Sequence, residues 1–435
     1  MKDLFESLNL ITMKGGSEMF SSTFCPRNKM KAVLGVAILT LAFVFVSAAA
    51  LAQDEITIGS LLPMSGDLAP YGKCVQQGVN LAVKHINEAG GPLGMKLKVV
   101  FRDSQTDPTA LRDGAEKLVN VDKVPAIVGP MIRSDVATPV TAPNHVVIIS
   151  PSNTPTWVTT LKDDDFTFRT TASDAIQGKV LGELAWELGY KKAAILYIND
   201  PYGGGLAESC KEWFEKSGGK VLGQASYDPG KASYKMQLKE LAKGAPDALI
   251  LIGYPESGTV IIRQALSEGL FDQFLFPDGM QSQQIIDSVG GDHLEGMHGT
   301  GPGAADNPSY KNYLAEFQKA YGTKPSTAYS ENAYDGVVVI ALAMQAAGKD
   351  ALKADPGRAI RDKLREVANP PGEKINASVE DFQKAFKLLA DGKAIDYEGA
   401  AGSIDFDEYG DTITPILIWK IENRQIVAVR SVIAE

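Results

Sequence analysis

Cysteine and histidine are scarce: three and four residues in a chain of 435. No Cys-x-x-Cys pair occurs and no His shares a helical face with Cys or another His, which argues against a zinc cluster or other metal site. Three cysteines are also too few for a disulfide scaffold. Basic residues are outnumbered, 43 Lys and Arg against 53 Asp and Glu, and no long basic tract occurs, which argues against nucleic acid as a partner. A phosphate loop of the Gly-x-x-x-x-Gly-Lys-Ser/Thr type is missing, and Gly203-Gly-Gly205 lacks dinucleotide spacing. Ser257, in Tyr-Pro-Glu-Ser-Gly, is not a Gly-x-Ser-x-Gly nucleophile elbow. With no nucleophile and base in sight, neither an enzyme nor a cofactor is expected. What is present is apolar: 44% of the chain is hydrophobic, enough for the cores of two or three domains.

The N-terminus reads as a targeting segment. Arg27, Lys29 and Lys31 precede a fifteen-residue apolar run, Ala32 to Val46, and Ala50-Leu51-Ala52 offers a cleavage site before Gln53. The run is short for a bilayer span. Met30 is the expected start, residues 1–52 the expected leader, and the absence of Cys at the cleavage site argues against a lipid anchor. Cleavage removes five basic and three acidic residues and moves the formal net charge from −10 to −12. Cys74 and Cys210 remain, on helices of different halves, and read as two separate thiols.

The mature chain contains a duplication. Ile56 to Leu62 is an apolar strand, followed by a loop and by a helix from Tyr71-Gly72 with Val75, Val79, Ala82, Val83 and Ile86 at helical spacing. Ala89-Gly-Gly-Pro92 ends that helix. A strand (Lys96 to Phe101), a turn at Asp107-Pro108, a helix (Thr109 to Val121) and a strand (Ala126 to Gly129) follow. From Lys192 the order repeats: strand Ala193 to Ile198, loop, Tyr202-Gly203, helix, Gly218-Gly219, strand from Val221, Asp228-Pro229, helix Tyr234 to Ala242, strand Ala248 to Gly253. Two similar βαβ halves with parallel sheets are predicted. The acidic run Asp163 to Asp165 reads as solvated loop.

Ligands of such sheets bind beyond the carboxyl ends of the strands. That selects the loops Pro63–Gly72, Pro130–Asp135 and Pro151–Thr156 in the first half, and Asn199–Gly205, Tyr254–Ser257 and Pro277–Gln281 in the second. Their chemistry suits a small zwitterion. Ser134, Ser152 and Thr154, with free amides at helix starts, can cradle a carboxylate, and Thr154 can equally be a helix cap. Asp278, directly after the strand Phe274 to Phe276, can pair with an ammonium or cap the next helix. Tyr71, Tyr202 and Tyr254 stand in equivalent loops and Tyr329 in a later helical segment, able to cover an apolar group, face a cation or donate hydrogen bonds.

Ile58-Gly-Ser-Leu-Leu-Pro-Met-Ser-Gly66 with Tyr71-Gly72, Ile86-Asn-Glu-Ala-Gly-Gly91, Asp200-Pro-Tyr-Gly203, and Tyr397-Glu-Gly-Ala-Ala-Gly-Ser-Ile-Asp-Phe-Asp407 with Gly410-Asp411 follow one another in this chain. In that order they resemble the type I periplasmic solute-binding proteins of the branched-chain amino-acid (Leu/Ile/Val) ABC-transporter family, over nearly all of residues 54–435. The resemblance implies an α/β fold of two doubly wound parallel-sheet lobes joined by a three-strand hinge, with crossovers near Arg169–Ala172, Thr300–Gly303 and Phe406–Gly410. Lobe one would be 54–170 plus 303–406, and lobe two 171–300 plus 409–435. Ligand positions carry over to Tyr71, Ser152 (through its carbonyl), Thr154, Tyr202, Tyr254, Asp278 and Tyr329. One departure stands out. Where the family usually has Ser or Thr, four residues after the glycine that ends the third strand, this chain has Arg133, followed by Ser134. Arg133 can reach a ligand carboxylate or turn outward to an acidic neighbour.

The expectation is an exported, monomeric, periplasmic protein that captures an amino acid or related small carboxylate by hinge closure and delivers it to a membrane ABC permease. A soluble sensor reporting to a signalling partner, and ligands that are aromatic acids, amides or dicarboxylates, are the alternatives.

Overall fold

The computed structural model describes residues 54–303, 307–412 and 414–433; the expected leader lies outside them. β1 (Glu55–Leu62), β2 (Lys96–Asp103), β3 (Ala126–Val128), β4 (Val147–Ser150) and β5 (Thr167–Arg169) form a parallel sheet in the order β2-β1-β3-β4-β5. Helices α1 (Ala69–Glu88), α2 (Pro108–Asn120) and α3 (Ser134–Thr141) link its strands. The Asp107-Pro108 turn is the start of α2. The Asp107 carboxylate accepts from the Thr109 and Ala110 amides, both at 2.9 Å, and Pro108 sits where a helix has no use for an N–H.

After α4 (Asp174–Glu187), the second sheet repeats the first. β6 (Lys192–Ile198), β7 (Lys220–Tyr227), β8 (Ala248–Ile252), β9 (Phe274–Phe276) and β10 (His298–Pro302) run parallel in the order β7-β6-β8-β9-β10. This is the first sheet's order with each strand advanced by five, so the duplication read from the sequence is a duplication of topology. Helices α5 (Pro201–Lys216), α6 (Lys235–Leu241), α7 (Pro255–Ser267) and α8 (Gln283–Val289) connect these strands. In both sheets the order reverses beside the first strand, β1 and β6. At such a switch point the loops at the carboxyl ends diverge and leave a crevice.

The rest of the chain returns to the first half. α9 (Pro308–Tyr321), α10 (Ser330–Ala354), α11 (Pro356–Ala368) and α12 (Val379–Ala390) accompany a small parallel pair, β11 (Glu373–Asn376) and β12 (Ile395–Glu398). α10 is buried at every position from Asn332 to Met344 and packs against α1 and α11. Asp335, inside it, accepts from the Tyr397 hydroxyl at 2.7 Å and the Ala400 and Ala401 amides at 2.8 and 2.7 Å, which is how the Tyr-Glu-Gly-Ala-Ala segment is fastened.

Two features depart from the sequence reading. β13 (Ile416–Glu422) and β14 (Gln425–Val432) form a hairpin that extends the second sheet antiparallel to β10. Asn423 and Arg424 both take positive φ, 53° and 61°, as a two-residue hairpin turn requires. In the run Asp163 to Asp165, Asp164 is exposed as a solvated loop residue should be, but its neighbours are engaged: the Asp165 carboxylate takes two hydrogen bonds from Arg365 at 2.8 Å, and Asp163 accepts from the Thr167 amide. Among the described residues no helix is long and apolar enough to cross a membrane.

Candidate functional site

The repeated Tyr-Gly pair has a steric origin. A Cβ on Gly72 would stand 2.1 Å from the Pro63 carbonyl oxygen, and one on Gly203 would stand 2.1 Å from that of Ile198. Only glycine lets the first turn of α1 or α5 settle on the loop leaving its strand. The residue before each glycine is thereby turned into the crevice: Tyr71 is 1% exposed and Tyr202 5%.

Seven of the nine predicted residues come together there. Tyr71, Ser152, Thr154, Tyr202, Tyr254, Asp278 and Tyr329 line one buried cavity of about 20 Å³, with Leu68, Met131 and Ile132 supplying apolar wall. On this measure there is room for about one water molecule. Elements of both sheets contribute, and the contacts cross between them. From the first half, the Tyr71 hydroxyl donates to the Asp278 carbonyl at 2.8 Å and the Tyr329 hydroxyl donates to the Asp278 carboxylate. From the second, the Tyr202 hydroxyl and the Gln177 amide donate to Asp278 Oδ1, both at 2.8 Å. Asp278 is therefore no helix cap; its carboxylate is the centre of the network. Tyr329 holds this position in a left-handed conformation, φ 76°, sparsely populated for a non-glycine residue and typical of a constrained site. The Tyr202 and Tyr254 rings stack at 5.6 Å, and the Tyr254 hydroxyl donates to Asp200 at 2.8 Å.

Arg133 and Ser134 are the two that do not reach this cavity. Arg133 takes the outward alternative: its Nε and Nη2 donate to Asp135 at 2.9 and 2.8 Å. A residue two positions on captures the guanidinium, because Arg133 caps α3 in a left-handed conformation, φ 61°. It lines a neighbouring cavity of about 250 Å³, together with Asp67, Asp200 and Tyr254. Ser134 is fully buried and its hydroxyl accepts from the Asn153 amide at 2.6 Å.

Four further residues were passed over in the sequence. Arg169, fully buried at the end of β5, donates through Nη1 to the carbonyls of Asn153, Thr154 and Pro155 at 3.2, 2.9 and 3.1 Å, and through Nε and Nη2 to Asp411. It fixes the loop that presents Thr154. An arginine closing an apolar strand was the available signal. Asp174 and Gln177 lie one turn apart on α4, in a stretch whose polar residues look like an ordinary helix start. Asp200 caps α5 through the Gly203 amide at 2.7 Å while receiving Tyr254.

The electrostatics are those of a site short of positive charge. Burial raises the Asp278 carboxyl, and the Tyr329, Tyr202 and Gln177 donors oppose the rise. Burial, with the Asp278 charge behind it, holds Tyr71 and Tyr202 well above the usual phenol range, so both remain donors. At the mouth, burial with Glu256 nearby pushes Asp67 up to about 6, and Ser257 donates to it across the crevice at 3.3 Å. Thr154 Oγ1 is buried and has no partner, so it is not acting as a cap. Cys74 and Cys210 are both buried and unpaired with each other. Among the described residues no group of three or more His, Cys, Asp or Glu side chains could hold a metal ion.

Comparison with known proteins bears on what such a crevice does. The family profile described as "Periplasmic binding protein" matches residues 55–404. A Pseudomonas aeruginosa protein named leucine-, isoleucine-, valine-, threonine-, and alanine-binding protein is 30% identical over 365 residues, 83% of this chain and 88% of its own. A substrate-binding protein of a chemotactic signal transduction system in Halobacterium salinarum, BasB, is 27% identical over 86% of this chain and 89% of its own. Among solved structures, the branched-chain amino acid transporter substrate-binding protein LivJ of Streptococcus pneumoniae, in complex with isoleucine, superposes with a TM-score of 0.72. It is 25% identical and the match covers 87% of this chain and 99% of that one.

Proposed function

The chain belongs to the periplasmic binding protein family, a binding protein rather than an enzyme, and from that premise we propose that it captures an amino acid with a small apolar side chain and hands it to a membrane ABC permease. The observation that carries this reading is the convergence on one buried cavity of Asp278, Thr154 and four tyrosines drawn from both sheets. The ligand ammonium would be held by Asp278, the Thr154 hydroxyl and the Ser152 carbonyl. Its carboxylate would lie on the amides of the 152–154 loop, which Arg169 holds in place and which carries the positive end of local backbone dipoles. Tyr71, Tyr202, Tyr254 and Tyr329 would cover the side chain. Arg133 and Ser134 would shape the wall behind it.

The mechanism is hinge closure. With about 20 Å³ between the tyrosines, an amino acid enters only when the Tyr71 and Tyr329 bonds to Asp278 break and the halves part. A ligand touching both halves then favours the closed form by its differential affinity for it. We take residues 54–170 plus 303–406 and 171–300 plus 409–435 as the two moving lobes, residues 1–52 as a cleaved leader, the periplasm as the location, a monomer as the working form and the closed form as what the permease reads. The namesake ligands of the relatives support the amino-acid assignment.

Titration calorimetry with leucine, isoleucine, valine, threonine, alanine and benzoate, combined with small-angle scattering, tests the proposal. Submillimolar binding of at least one aliphatic amino acid with compaction is expected; binding of none, or binding without compaction, sinks it. The chemotactic relative favours one second reading, the same capture reported to a receptor. Retrieval of a methyl-accepting receptor instead of a permease by the loaded protein would establish it.

A further inference from the structure

The carboxylate network contains a member that nothing in the structure satisfies. Asp174, the first residue of α4, is fully buried, and neither of its carboxylate oxygens has a hydrogen-bond partner. Its own amide donates to the Thr154 carbonyl at 2.9 Å, so it lies directly behind the residue whose unpartnered hydroxyl lines the cavity. One turn along α4, Gln177 reaches Asp278. Asp174 thus stands behind Thr154, one turn of α4 from the Gln177 that reaches Asp278.

A buried carboxylate with no donor does not stay ionised unaided. Thr154 and the Arg169 charge oppose the rise of its carboxyl without overcoming it. Asp278 and Asp200 are like charges, and burial reinforced by Asp278 drives the Asp174 carboxyl well above the usual carboxylate range. The neighbouring phenols of Tyr202 and Tyr329 both direct their protons to Asp278. Arg169 is the nearby cation, but Nε and Nη2 are taken by Asp411 and Thr159 and Nη1 by three carbonyls. Thr154 is the one neighbouring hydroxyl that pulls the Asp174 carboxyl down, yet its Oγ1 makes no hydrogen bond. Between the two carboxylates the proton therefore belongs on Asp174, because Asp278 alone has three donors to stabilise its charge.

Resting on the amine-capture reading above, we propose that Asp174 is the buried counter-charge of the ammonium site: it keeps a proton in the unloaded protein and releases it to solvent when a ligand ammonium binds at Thr154 and Asp278. The hydroxyl of Thr154 is the relay. A hydroxyl both donates and accepts, so with the amine in place the ammonium donates to Thr154 Oγ1 and the Thr154 hydroxyl donates to an ionised Asp174. The charge balances: one cation enters and one proton leaves. Asp174 acts through Thr154 and is a positioning residue. Because a proton is released, capture strengthens as pH rises, by up to about tenfold per unit while Asp174 is protonated in the free form.

The test is calorimetry of leucine and isoleucine binding to the mature chain at pH 7.5, above the titration of Asp67, in phosphate and in Tris, whose ionisation enthalpies differ. The wild type should release about one proton per ligand. In Asp174→Asn the release should fall to near zero and the pH profile above pH 7 should flatten, neither of which a packing defect would produce alone, and binding should weaken. Wild-type binding with no proton release overturns the proposal without need of a variant, as does undiminished release in Asp174→Asn. Should no amino acid bind the wild type, the amine-capture reading fails separately. The infrared carbonyl band of a protonated carboxyl, measured in the unloaded wild type against Asp174→Asn, then decides whether the proton is there: a band lost in the variant supports it, and no such band overturns it.

Discussion

Replacing Asp278 by Asn separates what this carboxylate does for binding from what it does for stability, and the two effects should have opposite signs. The side chain is 3% exposed and receives bonds from Tyr329, Tyr202 and Gln177. Asn preserves its shape and removes its charge. A ligand ammonium buried opposite an uncharged amide loses one member of a buried pair, which costs about 3–5 kcal/mol. At about 1.4 kcal/mol per decade, the affinity for leucine or isoleucine should fall by roughly two to three and a half orders of magnitude. The unliganded protein should respond the other way with pH. Burial raises the folded-state value of this carboxyl above the 3.8 of a free aspartate. Its contribution to stability is therefore fully present below that value and is lost as pH rises through the raised one. Asn has no such loss. The stability of the variant relative to wild type, from urea unfolding at several pH values, should increase from acid toward neutral pH. Calorimetric affinity within about threefold of wild type, or a relative stability that falls as pH rises, would refute the placement of a charged Asp278 at the centre of the site.

Gly203→Ala should lower both stability and affinity, since its methyl would meet the Ile198 carbonyl at 2.1 Å and the shift it forces displaces Tyr202; about 1–3 kcal/mol is the expected loss on unfolding. Arg169→Lys keeps the charge but cannot span Asp411 and three carbonyls at once, so a loss of about 2–4 kcal/mol in stability should accompany weaker binding, read by urea unfolding and calorimetry together. Arg133→Ala should leave amino-acid affinity within about threefold, because its guanidinium is engaged by Asp135 and an exposed pair of this kind is worth about 0–1 kcal/mol. Asp67 is raised to about 6 by burial and Glu256; if opening the crevice hydrates it, closing takes up a proton, so scattering should find the closed form less populated as pH rises from 5 to 7, and Asp67→Asn should abolish that trend.

The fold was legible because it is written twice. Apolar strands, glycine stops and the Tyr-Gly pairs recur in one order, and each has a local cause that sequence alone carries: a strand buried on both faces cannot alternate, and a first helical turn that touches a carbonyl needs glycine at the point of contact. The final hairpin was missed for the complementary reason. Ile416 to Glu422 breaks its alternation where Ile418 and Trp419 are both buried at a register shift and has no counterpart in the first half, so repetition offered no second copy against which to read it.

The site was legible to the depth of its first contacts. Asp278, Thr154 and three of the tyrosines occupy loop positions that topology singles out, and Tyr329 came from a later helical segment, whereas Arg169, Asp174 and Gln177 act through what they touch, and what they touch is remote in sequence: Arg169 meets Asp411 and Gln177 meets Asp278. Arg133 shows the converse limit. Its place in the motif suggested a carboxylate ligand, yet Asp135, two residues away, settles where the guanidinium points. Both arginines bear on the charge a ligand meets. The crevice gathers Asp278, Asp174 and Asp200, while Arg169 is committed to Asp411 and Arg133 to Asp135. On the proposed reading, a site with its cations already engaged would select first for a ligand's amine. An amino acid stripped of its ammonium should therefore lose more affinity than one stripped of its carboxylate, and paired titrations with 4-methylpentanoate and isoamylamine against leucine decide whether the anionic wall or the backbone cradle dominates recognition.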